Sequence, residues 1–354
     1  MGALTFQRPA DAFKPMALPP MHPIAELLAA HGLDGVPEAP MQHDGWSGAG
    51  MTRLTRGDGV RFVIKRDSLA RDWIARVTGD DPELREALLV RAGLLMPHPV
   101  TLPHLGVARD GDDVALLMPD LTDVLIRWEQ PIDVPVLERV LEALAALHRK
   151  PWHDQLPASF PWTNRSRRLL LLTRTAAAAY DADGLPFGAR FVQGWDGFDR
   201  LVRPPARDLI AGLTADPVPL FTALDRLPAV GLHGDLKLGN VGLAGDGTVP
   251  MIDWQMTMVA PAAVELGWFL VANVAGLPIQ PDEVLERYRL AADLPDDDAW
   301  AAQWDLAVII GLFLRGWRKG LDTDAGVVYP NGLAAGKDLA WWGANAAAAA
   351  ERRL

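Results

Sequence analysis

The run His233-Gly234-Asp235-Leu236-Lys237-Leu238-Gly239-Asn240, continued by Val241-Gly242-Leu243, decides how the chain is read. After it come the turn Gly245-Asp246-Gly247 and the stretch Val249-Pro250-Met251-Ile252-Asp253-Trp254. Apolar residues on both sides of a Gly-Asp-Gly turn predict a β-hairpin with Asn240 and Asp253 at its two open ends. The hairpin brings an amide oxygen and a carboxylate together. Hard oxygen donors of this kind suit Mg²⁺, which keeps coordination sites free for substrate phosphates. Asp235, five residues before Asn240, then lies beside the cation without having to ligate it. There it can accept the proton of a hydroxyl that attacks a γ-phosphate.

In residue types and spacing this segment resembles the catalytic loop and metal-binding strand of the aminoglycoside phosphotransferase and choline kinase group, small-molecule kinases with a protein-kinase-like fold. The resemblance implies Asp235 as the base, Asn240 and Asp253 as Mg²⁺ ligands, His233 as a brace of the loop, and Lys237 as a cation near the γ-phosphate. Upstream, Val60, Phe62 and Ile64 alternate with Arg61, Val63 and Lys65, after residues 51–54 and the turn Arg56-Gly57-Asp58-Gly59. That pattern predicts a second hairpin. Val63 and Lys65 share one face of its strand, so the other face can pack on the core while theirs meets a nucleotide.

Lys65 resembles the kinase lysine that holds the α- and β-phosphates. Glu86, on the following predicted helix, is the best match for its ion-pair partner, with Glu83 one turn away as the alternative. Gly45-Trp46-Ser47-Gly48-Ala49-Gly50 stands where a phosphate-covering loop is expected, Gly48 and Gly50 included, its backbone N–H groups serving as donors. Arg53 occupies the place of the third glycine in the protein-kinase pattern. Met118-Pro119-Asp120-Leu121 resembles the hinge whose backbone pairs with adenine. ATP and Mg²⁺ are thus the implied cofactors, and a small hydroxyl-bearing acceptor the implied partner.

The pattern of elements agrees with an α+β, two-lobed chain. A Pro-rich arm over residues 1–22 precedes a short helix over 23–30 and the hairpin just described. A helix is predicted over 83–95, and a third hairpin where Asp110-Gly111-Asp112 separates residues 105–107 from 114–118. Beyond Pro119 the period becomes helical: Leu137, Val140, Leu141, Leu144 and Leu147 recur at spacings of three and four, with Asp133 as cap and Pro151 as stop. The expectation is a small antiparallel sheet with one helix over residues 1–118, and a hinge and mostly helical unit over 119–354. Residues 150–230 carry no recognisable motif.

Composition narrows the function classes. With 34 Lys and Arg against 45 Asp and Glu, the net charge of −11 offers no basic footprint for nucleic acid. No cysteine is present, so disulfides, thiolate metal sites and cysteine nucleophiles are excluded. The longest apolar run, 306–314, is bounded by Asp305 and Arg315 and is far short of the roughly 20 residues that span a bilayer. No apolar core follows Arg8 and Lys14, and Phe6 stands where N-myristoylation of Gly2 would need Ser or Thr. A cytoplasmic protein without membrane attachment is expected.

A protein kinase would need a docking platform after the metal-binding Asp. Here Asp253 is followed by Trp254-Gln255, and an apolar helix begins by Ala262. The acceptor is therefore read as small. Two features bear on its charge. Residues 281–298 hold seven acids against Arg287 and Arg289, which would attract an aminoglycoside or other amino alcohol, although acidic runs ordinarily face water. Trp254, Trp268, Trp304 and Trp317 could cage a quaternary amine or simply pack in the core. Glu265 is expected to steady the catalytic loop. The Walker-like stretch 331–338 lacks the first glycine and the Ser or Thr, and reads as a loop into the last helix. The remaining alternatives are a catalytically inactive nucleotide-binding regulator of the same fold and a protein-interaction module.

Overall fold

The computed structural model describes residues 18, 20–42, 45, 47–128, 130–185 and 187–354. Most of the expected N-terminal arm, the myristoylation question at Gly2 and the indole of Trp46 lie outside the described residues.

Alternating apolar residues and tight turns build the sheet. Strands β1 (His22–Pro23), β2 (Glu38–Pro40), β3 (Gly50–Thr55) and β4 (Arg61–Asp67) come first. The short strand β5 (Val100–Thr101) and the hairpin β6 (Gly106–Asp110) and β7 (Asp113–Pro119) follow. The sheet runs β1-β6-β7-β4-β3-β2. Gly59 (φ 86°) lets the β3–β4 turn close, with Arg56 N–H donating to Val60 O at 2.9 Å. In this register Lys65 sits opposite Leu116 and Val63 opposite Met118. Phe62 and Ile64 bury the other face with Leu54, Leu33 and Leu117.

The sheet differs from expectation in two respects. Its outermost pair, β1 with β6, is parallel, so the sheet is mixed. Beside the two helices expected in this part of the chain, α1 (Ile24–Ala30) and α3 (Arg85–Arg91), it carries a third that was not, α2 (Trp73–Thr78). α2 is only six residues long and starts on its cap Asp72, whose Oδ1 accepts the Ala75 N–H at 2.9 Å. A single turn of helix leaves too short an apolar repeat to be seen in sequence. The helix predicted over 83–95 is confined to 85–91 because Leu84 is left-handed (φ 60°) and Gly93 (φ 62°) turns the chain after it.

The rest of the chain is mostly helical. α4 (Val134–Arg149) starts on Asp133, whose Oδ1 accepts the Val136 N–H at 2.9 Å, and carries its apolar stripe inward. Then come α5 (Arg165–Leu170), α6 (Arg174–Ala182), α7 (Gly188–Leu201), α8 (Pro204–Ala215) and α9 (Val218–Leu224). Strands β8 (Ala229–Leu232), β9 (Val249–Pro250) and β10 (Met258–Pro261) bracket the loop quoted at the outset. The chain finishes with α10 (Ala262–Ala272), α11 (Pro281–Ala291), α12 (Asp298–Asp324) and α13 (Ala335–Arg353). Among the described residues no helix is long and apolar enough to cross a membrane.

α12 is the axis of this body, with α7, α10 and α13 packed around it. Glycines allow its closest approaches. A Cβ on Gly320 would stand 2.3 Å from both Gly194 O and Phe198 N, and one on Gly267 would stand 2.4 Å from Ala307 O. At Arg315 the helix breaks, with φ −132° and ψ 19°.

A methyl group at Gly320 meets backbone rather than a yielding side chain. Gly320→Ala should therefore destabilise the fold by about 1–3 kcal/mol, read as a lower melting temperature in calorimetry. An unchanged melting temperature would mean that α7 and α12 separate freely.

Candidate active site

Two buried ionic assemblies meet at the loop after β8. The first joins the sheet to the helical body. Lys65 Nζ on β4 lies 2.7 Å from Glu86 Oε2 on α3 and 2.8 Å from Asp253 Oδ1. The other oxygen, Glu86 Oε1, accepts the backbone N–H groups of Asp253 at 3.0 Å and Trp254 at 3.1 Å. Asp253 is left-handed (φ 68°, ψ 56°), a conformation that costs a non-glycine residue about 1–2 kcal/mol and is held here by those bonds. Burial alone would neutralise such groups. Instead Lys65 is pushed well above the ordinary lysine range, because Asp253 and Glu86 outweigh its desolvation. Glu86 is drawn below the carboxylate range by Lys65 and His104 despite burial. Asp253 is lowered too, with Lys65 overcoming burial and the repulsion of Glu86. Glu83 turns away and pairs with Arg91 at 2.6 Å.

The second assembly braces the loop itself. Gly234 has φ 85°, and a Cβ there would stand 1.9 Å from Met256 O, so only glycine fits. Glu265, near the start of α10, accepts the N–H groups of His233 at 3.1 Å and Gly234 at 2.6 Å. It also bonds His148 Nε2 at 2.9 Å, and His148 Nδ1 reaches the Tyr288 hydroxyl at 2.8 Å. Glu265 stays ionised although fully buried, since His148, His233 and the Gly234 N–H outweigh desolvation. His233 is enclosed: Nε2 lies 2.9 Å from Ile252 O, and Nδ1 accepts the Asp235 N–H at 3.3 Å. Its ring leans on Trp254, centroids 4.4 Å apart. The ring therefore carries its proton on Nε2 and holds the loop.

Between the two assemblies, Lys237 Nζ lies 3.1 Å from Asp235 Oδ2. Asp235, and to a lesser degree Asp253, raise the Lys237 ammonium above its ordinary range. Asn240 Nδ2 donates to Asp235 O at 2.9 Å, which leaves Asn240 Oδ1 free to accept. The hairpin after it is short: Val241 bridges Met251, Gly242 N–H donates to Pro250 O at 2.8 Å, Ala244 N–H to Thr248 O at 3.0 Å, and Ile252 N–H to Asn240 O at 3.0 Å. That bond sets Asn240 beside the segment that carries Asp253.

Other expected site residues fall differently. Val63 and Met118 are paired across β4 and β7 on the face of Lys65. Asp120 does not offer its backbone N–H to a nucleotide, because that group donates to Arg61 O at 3.0 Å. Its carboxylate binds Arg53 at 2.8 Å, so the arginine in the third-glycine position ties the end of β7 to β3. Gly48 has φ 101°, and its Cα side closes on Arg71 O, 2.8 Å from where a Cβ would be; Gly50 opens β3.

The Trp cage is absent. Trp254 packs on Trp152 and His233, and Trp304 on Trp300. Trp268 and Trp317 instead flank the molecule's own Arg315, at 5.4 and 5.8 Å. The acidic stretch 281–298 faces water: Glu283 and Glu286 pair with Arg287 and Arg289, and Asp297 caps α12. Arg168 on α5 escaped sequence reading; its Nε donates to Gly234 O at 3.0 Å. A lone arginine in the motif-free region gives no signal of its own.

Residues 43–304 match the model of the phosphotransferase enzyme family. The chain belongs to this family. Among solved structures it is similar to a choline/ethanolamine kinase family protein from Mesorhizobium loti, with 16% identity, 93% of this chain and 97% of that one covered, and a TM-score of 0.52. A choline kinase from Cryptosporidium parvum is similar at 11% identity, 90% coverage of each chain and a TM-score of 0.52. A spectinomycin phosphotransferase solved with ADP and spectinomycin is similar at 15% identity, covering 83% of this chain and 86% of its own, with a TM-score of 0.50. No curated protein matches. Family membership makes this a phosphotransferase, and its fold is the one these kinases share.

Glu86→Gln removes one carboxylate from around a buried ammonium. It should cost about 3–5 kcal/mol of unfolding free energy, measured by urea titration; a loss below 1 kcal/mol would mean that Asp253 alone compensates Lys65. The acid limb offers a second check. Glu86, Asp253 and Glu265 are all held below their ordinary values. Their contribution is therefore complete above the unfolded carboxylate range, near pH 4.5 for Glu, and is lost as pH falls through the lower folded values. Glu265→Gln should flatten that limb in a stability profile taken from pH 6 down to about pH 3.

Proposed function

We propose that the protein transfers the γ-phosphate of ATP, bound with Mg²⁺, to a hydroxyl of a small molecule. The observation that carries this reading is the junction of the two assemblies. Lys237 lies 3.1 Å from Asp235 Oδ2 and is also drawn by Asp253, which Lys65 and Glu86 hold in position. In this reading the acceptor hydroxyl loses its proton to Asp235 as its oxygen bonds to the γ-phosphorus, and the bond to the β-phosphate oxygen breaks to release ADP. Lys65 exchanges Asp253 for the α- and β-phosphates while keeping Glu86. Lys237 bears on the γ-phosphate, where it would offset negative charge as the bond breaks.

The donor set fits a divalent cation. Asn240 Oδ1 is unused once Nδ2 is committed to Asp235 O, and the Asp253 carboxylate is the other hard oxygen donor. When bound, Mg²⁺ would neutralise phosphate charge and orient the transferred group.

An inactive regulator of the same fold is less well supported, because Lys65, Asp235, Asn240 and Asp253 are all retained. Asp235→Ala should lower ADP formation by about 10²- to 10⁴-fold and leave the Mg·ADP-induced rise in melting temperature intact. Undiminished turnover would remove the assigned role.

A further inference from the structure

Two arginines near the catalytic loop make no ion pair among the described residues. Arg168 is buried to 1% exposure, and both of its terminal nitrogens lack a hydrogen-bond partner. Its guanidinium lies 4.4 Å from the Trp268 ring centroid, and the Arg315 guanidinium lies 5.4 Å from the same ring. Arg315 Nε is buried without a partner, and neither arginine takes part in any ion pair among the described residues. Their neighbours on α12 behave otherwise: Arg318 pairs with Asp322 at 2.8 Å, and Lys319 with Asp338.

A buried guanidinium without an anion is costly, and contact with an indole face offsets only part of that cost. The one carboxylate that attracts both Arg168 and Arg315 is Asp235, which already has Lys237 at 3.1 Å. Asp322, which also draws Arg315, is already paired with Arg318 at 2.8 Å. Glu265 cannot supply the deficit, since its oxygens are taken by His148 and the loop N–H groups. Burial, reinforced by Arg318, pushes Arg315 down to about 10, still charged at neutral pH. Arg315 stands at the break in α12, where non-helical backbone redirects its side chain between Trp268 and Trp317.

We infer that the acceptor carries an anionic group, a carboxylate or a phosphate monoester, which pairs with Arg315 and Arg168 and presents its hydroxyl to Asp235. This rests on the phosphotransferase reading above and specifies its substrate class. It opposes the cationic acceptor suggested by composition. Arg315 binds and orients the acceptor, and Arg168 both holds Gly234 O and completes the positive wall.

The experiment measures ADP release from Mg·ATP with four sets of alcohols: hydroxycarboxylates such as glycerate, phosphorylated alcohols such as glycerol 3-phosphate, neutral polyols, and amino alcohols including choline. Turnover is expected only in the first two sets, and whichever responds identifies the anion. Arg315→Gln should raise KM for that acceptor at least tenfold and KM for ATP less than twofold, with Arg315→Lys recovering most of the loss. A rise confined to KM for ATP would assign Arg315 to the nucleotide and overturn the inference, as would efficient turnover of choline or a polyol.

A binding arm does not depend on finding the acceptor. Wild-type protein with saturating Mg·ADP is titrated with malonate, ethyl phosphate and tetramethylammonium, each at constant ionic strength. One of the anions should raise the melting temperature by several degrees, and Arg315→Gln should abolish that rise while its response to Mg·ADP reports an intact fold. No stabilisation by either anion would overturn the inference while leaving the kinase reading standing. Failure of Mg·ADP to stabilise the wild type would instead defeat the kinase reading itself.

Discussion

One ammonium group set between two carboxylates organises the molecule. Lys65 comes from the sheet, Glu86 from α3 and Asp253 from the loop after β9, and none of these charges is tolerable in the interior without the others. The three elements are far apart in sequence and have no continuous backbone ladder joining them. The ion pairs, together with the two N–H groups that Glu86 accepts, fix how the sheet meets the helical body. The same contacts hold Asp253 in a left-handed conformation that it would not adopt alone. Assembly of the fold and placement of Lys65, Glu86 and Asp253 are therefore one event.

Glu265 repeats the device on the other side of the loop. A buried carboxylate survives there because two backbone N–H groups and His148 surround it. This lets the loop keep the sharp turn at Gly234 that precedes Asp235. The helix that supplies Glu265 is apolar all round and sealed against α12 through Gly267 and Gly311. Precision at Asp235 is thus inherited from close helix packing some distance from the chemistry.

Much of this was legible in the sequence, for identifiable reasons. Hairpins show themselves through period-two alternation and glycine turns, and α4 through its cap and apolar stripe, because those signals are local. The loop residues were legible because their chemistry requires fixed types at fixed spacing. What escaped notice depends on partners distant in sequence. α2 is too short to show a period. Asp120 was read for its backbone, yet its N–H is consumed by Arg61 and its carboxylate by Arg53. Arg168 and Arg315 look like ordinary solvated helix charges until packing encloses them, and Trp268 and Trp317 look like a cage for a ligand until one of those arginines is found between them.

The two sides of the loop differ in how their charges are balanced before any substrate arrives. On the proposed nucleotide side Lys65 is fully matched by Glu86 and Asp253, so under the proposed function phosphates would enter by exchange, the lysine turning from Asp253 to phosphate and the freed carboxylate becoming available to an accompanying cation. Such an exchange keeps the buried charge nearly constant, which avoids the large cost of adding an unpaired ion to a low-dielectric interior. On the proposed acceptor side Arg168 and Arg315 make no ion pair among the described residues, and an anionic acceptor would supply the missing partner. A pre-balanced pocket accommodates a substrate that brings its own counterion, whereas an unbalanced one discriminates by charge. Under this division, recognition of the common nucleotide resides in the loop and sheet residues whose spacing the sequence reveals. Discrimination of the acceptor resides in isolated arginines whose role emerges only in the packed structure.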